Sequence, residues 1–123
     1  MSGEDPRHSL GRRGEKIARR HLEGLGYKIL EANYRARVGE IDLVAEDEGT
    51  LVFVEVRAKS GPAFGSAAES VNARKRSKLV LVAQTYLAQH GLHDRDWRID
   101  VVAIEVDSRD MAAVEVFKNA VEA

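Results

Sequence analysis

The chain has 123 residues, a formal net charge of −1, 44% apolar and 32% charged residues, which fits one globular domain with a real core and excludes disordered and fibrous classes. It has no cysteine, so disulfides and thiolate chemistry are out, and its four histidines, His8, His21, His90 and His93, show no metal-ligand spacing. Any metal must be held by oxygen, and no run approaches the ~18 apolar residues of a membrane helix.

The polar start, Met1 to Ser9, lacks the apolar stretch of a signal peptide, so we expect a flexible terminus over residues 1–9, a single domain over 10–123 and a cytoplasmic protein. Leu10, Gly14, Ile17, Ala18, His21, Leu22 and Leu25 recur at helical spacing until Gly24 and Gly26 stop the pattern, predicting a helix over about Leu10 to Glu23. At roughly 100° per residue, Arg12, Arg13, Lys16, Arg19 and Arg20 fall together on the opposite arc. With Arg35 and Arg37 they make this end of the chain basic, whereas the segment after Gly91 is mostly acidic. That asymmetry suits a polyanionic partner on one side, although a charge run is also what a solvated helix face looks like.

Tyr27 to Tyr34 reads as a strand, and Gly39 to Glu46 and Thr50 to Ala58 as a hairpin around Asp47, Glu48 and Gly49. Gly61, Pro62 and Gly65 mark a loop. Val71, Leu79, Val82, Ala83, Tyr86 and Leu87 then mark a second helix that ends before Gly91. Ile99 to Val106 is a strongly apolar strand and Ala113 to Phe117 a shorter one suited to a sheet edge. The order is αβββαββ, an α/β fold.

If the hairpin turns through Glu48 and Gly49, Asp42 faces Glu55 on one sheet face, about 4.5–5.5 Å apart at Cβ, where like charges repel unless something compensates. A hard divalent cation, Mg²⁺ or Mn²⁺, is one compensator, with the Val56 carbonyl and waters completing its shell. The plainer alternative pairs each acid with a neighbouring arginine such as Arg57 or Arg35. Glu15 sits at the border of the first helix's apolar arc, placed either as a third acid over the sheet or as an ordinary surface residue. Lys75 falls in the middle of the second helix's apolar arc, where a lysine either snorkels outward or points at a phosphate beside the sheet.

The runs Gly14-Glu15, Gly39-Glu40-Ile41-Asp42-Leu43-Val44, Val52-Phe53-Val54-Glu55-Val56-Arg57, Arg98-Ile99-Asp100-Val101-Val102-Ala103-Ile104 and Asn119-Ala120 resemble the small bacterial YraN-like proteins, assigned to the PD-(D/E)XK nuclease superfamily alongside archaeal Holliday junction resolvases. The resemblance implies a restriction-endonuclease-like three-layer core, a mixed central sheet flanked by helices. It matches Glu15 to the helix-borne acid, Asp42 to the Asp of the first strand motif and Glu55 to the acid of the E-x-K motif. The motif lysine is Arg57 here. Arginine can stabilise charge but cannot act as a base, so Lys59, two residues on, and Lys75, from the helix, are the candidate substitutes.

The resulting expectation is a metal-dependent phosphodiesterase, with Asp42 and Glu55 as metal ligands, Glu15 assisting through water, and Arg57, Lys59 and Lys75 stabilising the transition state. Its substrate would be DNA, branched DNA included, gripped by the first helix's stripe and by Arg35 and Arg37; resolvase-like action would require two sites, hence a homodimer. The rival is a nucleic-acid-binding protein with a nuclease-like fold and little catalysis. A blander option is a protein-interaction module using the acidic C-terminal surface.

Overall fold

Glu48 and Gly49 both adopt positive φ, 49° and 85°, the backbone of a two-residue turn whose twist matches its flanking strands. Around it Asp47 pairs with Thr50, Glu46 with Leu51, Ala45 with Val52, Val44 with Phe53 and Leu43 with Val54, the register predicted from the turn. The computed structural model describes residues 6–60, 72–109 and 111–121. They form α1 (Pro6–Gly24), β1 (Lys28–Ala36), β2 (Gly39–Asp47), β3 (Thr50–Ser60), α2 (Ala73–Gln89), β4 (Trp97–Val106) and β5 (Ala112–Val121), the predicted order. The expected loop at Gly61, Pro62 and Gly65, and Val71, lie outside the described residues.

The strands make one mixed sheet in chain order, antiparallel except for β3 and β4. A parallel pair needs a crossover, and the connection through α2 supplies it. Two apolar clusters divide the core. Ala18 and Leu22 of α1 pack on Leu43, Ala45, Val52, Val54, Val102 and Ile104. Leu79, Val82, Ala83, Tyr86 and Leu87 of α2 pack with Ile41, Val44, Leu51, Phe53, Ile99 and Val101. The helices therefore cover opposite faces, giving the three-layer α/β core expected.

Several boundaries differ from expectation; β1, for one, ends at Ala36 rather than Tyr34, and β4 begins at Trp97 rather than Ile99. α1 begins at Pro6, ahead of the predicted start at Leu10; proline fits a helix's first turn, where its missing N–H is not needed. β3 runs two residues past Ala58, to Ser60. β5 runs to Val121, because its ladder to β4 extends past Phe117 to an Ile99–Val121 pair across a bulge. It is an edge strand, as expected.

Gly14 lets α1 approach β3. A Cβ there would lie 2.9 Å from the Cβ of Ala58, an atom with no torsion by which to move aside. Gly14→Val is therefore expected to destabilise the fold by about 1–3 kcal/mol despite its better helix propensity. The measurement is the urea midpoint with its slope unchanged; an unshifted midpoint would contradict this packing.

One buried charge has no place in the site. Asp100 is fully buried and accepts hydrogen bonds from Tyr27 Oη at 2.9 Å, Arg98 Nε at 2.9 Å, Arg98 Nη2 at 3.2 Å and the Asn119 N–H at 2.9 Å. Arg98 also donates to Asp47 Oδ2 at 2.8 Å, which holds the Asp47 carboxyl below its ordinary value. This network ties the residue before β1, the end of β2, β4 and β5 together.

Candidate active site

The hairpin's regular pairing stops at Leu43 and Val54. Asp42 and Glu55 come next, at the end remote from the turn. Asn33, with φ 56°, and the common cluster of Ile41 and Val44 show that strict alternation breaks here, since residues three apart in a regular strand face opposite ways. The Asp42 carboxylate enters this irregular stretch and accepts a hydrogen bond from the Val56 N–H at 2.7 Å.

Asp42 and Glu55 lie within hydrogen-bonding reach of each other. Burial first, and the Glu55 carboxyl second, push the Asp42 carboxyl up to about 8, against the downward pull of the Val56 N–H. Two carboxyls so placed hold one proton between them more readily than two charges. Glu55 is 6% exposed. Its Oε2 is buried and has no hydrogen-bond partner, although Lys75 Nζ lies 3.0 Å away and Arg57 Nη1 3.9 Å away as ion-pair partners. An ion pair without hydrogen-bond alignment leaves the lone pairs of that oxygen unused.

Of the two orientations open to Lys75, the structure has it lean from α2 to Glu55 instead of snorkelling away, so the carboxylate pair already has a cation of the protein's own. Arg35 pairs with Glu40 at 3.5 Å, both exposed, and so does not neutralise Asp42. Lys59 is exposed on β3, two residues beyond Arg57 and by alternation on its face. Glu15, half-buried on α1, accepts a hydrogen bond from Asn33 Nδ2 at 3.0 Å. Among the described residues no three His, Cys, Asp or Glu side chains are grouped as a metal site, so any cation here would rest on two carboxylates plus backbone and water oxygens.

Arg12, Arg13, Lys16, Arg19 and Arg20 are all exposed, on the arc of α1 turned away from buried Gly14, Ala18 and Leu22. They lie beyond the sheet from α2, not beside Glu55. Arg35 and Arg37, also exposed, stand at the end of β1 and the β1–β2 turn, and Arg35 lines a cleft that reaches Glu55. Not foreseen from the sequence are Asn33 as the partner of Glu15 and Arg74 and Lys78 as lining of the cleft that reaches Glu55. The basic run before Leu79 was the signal for the last two.

Residues 14–104 match the uncharacterised protein family UPF0102. A UPF0102 protein of Pelotomaculum thermopropionicum is 45% identical over 94% of this chain and 98% of its own length. One from Moorella thermoacetica is 46% identical over 93% and 96%, and one from Roseiflexus castenholzii 46% identical over 99% and 98%. Among solved structures, Pyrococcus furiosus SfsA in complex with Ca²⁺ aligns with 94% of this chain and 65% of its own, at 13% identity and a TM-score of 0.38. A likeness that weak carries no argument about this chain.

Proposed function

The chain belongs to the UPF0102 family, and from that premise we propose that it is a divalent-metal-dependent nuclease hydrolysing DNA phosphodiester bonds, branched DNA among them. The observation that carries the reading is the Asp42–Glu55 pair. A buried carboxylate oxygen without a hydrogen-bond partner, beside the Asp42 carboxyl, keeps lone pairs that its ion pairs with Lys75 and Arg57 leave unfilled, a deficit of ligation. Mg²⁺ or Mn²⁺, which take one or two carboxylates, carbonyls and waters, fit that deficit. When bound, such an ion supplies Lewis-acid stabilisation of charge at the phosphoryl oxygens and eases deprotonation of water.

The chain's own groups divide the remaining work. The Val56 N–H orients Asp42. The Arg57 guanidinium would stabilise the negative charge that builds on phosphorus oxygens, as a donor and not as a base. Lys75, paired with Glu55 from α2, is one candidate for the motif lysine's role, and Lys59, further along β3 than Arg57, is the other. Glu15, clamped by Asn33, is the candidate for ordering water. Cutting both strands of a junction would take two such sites, hence a homodimer.

A second reading, a nucleic-acid-binding protein with little catalysis, is favoured by the ion pair of Lys75 with Glu55, which already offsets part of the charge a metal would neutralise. A cleavage assay of branched, flapped, single-stranded and linear DNA with Mg²⁺ and Mn²⁺ separates the two. Glu55→Gln is expected to slow cleavage at least about a hundredfold, since a metal's contribution is several kcal/mol. Equal cleavage by the variant would place the chemistry elsewhere. Salt-dependent binding without any cleavage by the wild type would select the second reading.

A further inference from the structure

Beside Glu55 opens a cleft of about 780 Å³ between the end of β1, the start of β2 and the first half of α2, lined among others by Arg35, Glu40, Arg74, Lys75 and Lys78. Its cations are unequally committed. Arg35 pairs with Glu40 and Lys75 with Glu55. Arg74 and Lys78 are exposed, one helical turn apart and so about 5–6 Å from each other at Cβ. Among the described residues no carboxylate forms an ion pair with either. The cleft thus joins a buried acidic end, at Glu55, to a cationic rim.

An anionic diester brought to two carboxylates is repelled unless cations close by offset the charge. The α1 stripe cannot do this, because the sheet separates it from Glu55. Arg74 and Lys78 can. The volume is that of a drug-sized ligand, enough for a few nucleotides of one strand.

We propose, resting on the nuclease reading above, that this cleft is the track of the nucleic-acid strand being cut, with Arg74 and Lys78 contacting neighbouring phosphates and Arg35 a further one. The α1 stripe serves a different, distant part of a longer DNA. Contacts of this kind address phosphate and carry no base readout, so the track accepts any sequence.

Two probes of different length test this: a labelled single strand of about six nucleotides, within the usual range for one strand-binding groove, and a duplex long enough to reach both helices. Binding is measured by fluorescence anisotropy in chelator, across a salt series, so that the answer does not depend on whether the wild type cleaves. The double variant Arg74→Glu, Lys78→Glu should bind the short strand at least about tenfold more weakly, with a salt slope shallower by about 1–2. The triple variant Arg12→Glu, Lys16→Glu, Arg19→Glu should lose affinity for the duplex only. Arg74→Gln, Lys78→Gln, with a melting temperature like wild type, should fall in between and guards against misfolding of the reversed variant. Short-strand affinity unchanged in both α2 variants, an equal loss in the α1 variant, or no short-strand binding by the wild type would each overturn the track. Absence of cleavage with the binding pattern intact would instead count against the nuclease reading alone.

Discussion

Raising the pH from about 4 to about 8 is expected to destabilise the metal-free protein by a few kcal/mol, and Asp42→Asn to remove most of that loss. Burial and Glu55 raise the folded carboxyl of Asp42 from 3.8 to about 8. Between those values the folded chain holds a proton that the unfolded chain has released. The unfolded state then binds fewer protons, so stability is full below the unfolded value and falls as pH climbs through the folded one. Asparagine keeps an oxygen for the Val56 N–H and presents an N–H₂ to Glu55, much as protonated Asp42 does. Near pH 8 the metal-free variant should therefore be more stable than wild type. Urea unfolding of both proteins across this window gives the measurement, and parallel profiles would show that Asp42 titrates normally.

Asp100→Ala is expected to cost about 3–5 kcal/mol. Its removal leaves the Arg98 guanidinium, 18% exposed in its side chain, with Asp47 as its remaining carboxylate, leaves the Tyr27 hydroxyl, which still accepts from Arg98 Nη2, without an acceptor for its own proton, and leaves the Asn119 N–H unpaired. A second readout is specific to the network. Burial, then the hydrogen bond to Asp100, lifts the Tyr27 hydroxyl from 10.0 to about 12, so its absorbance titration should move back toward the ordinary value in the variant. A loss below about 1 kcal/mol would contradict the burial of an ion pair here.

Much of this fold can be read from local signals. The positive-φ turn at Glu48 and Gly49 sets the hairpin register, and with it the approach of Asp42 to Glu55, because a slip of one residue would invert every side chain. The apolar arcs of α1 and α2 name their sheet-facing residues by periodicity. What was illegible depends on distance along the chain or on backbone irregularity. No pattern announces that Asn33 takes φ 56° and turns to Glu15, or that Tyr27 meets Asp100 across 73 positions. Asp100 did leave a trace, as a carboxylate set directly beside the longest apolar run of its strand, Val101 to Ile104, since a charge at such a position needs buried partners. The Lys75 ambiguity between solvent and sheet could not be settled by helical phase, because a lysine stem spans both choices.

The central claim is that Asp42 and Glu55 together hold a divalent cation. Thermal melts of wild type and Asp42→Asn across a Mn²⁺ titration near pH 8 test it most directly, because an ion bound only by the folded state stabilises by RT ln(1 + [L]/Kd), about 2.7 kcal/mol at a hundredfold excess over Kd. The predicted result is a wild-type melting temperature that climbs with Mn²⁺ and a variant that starts higher without metal and stays flat. A wild type indifferent to Mn²⁺, with a variant less stable than it, would contradict the cation site and the nuclease chemistry built on it.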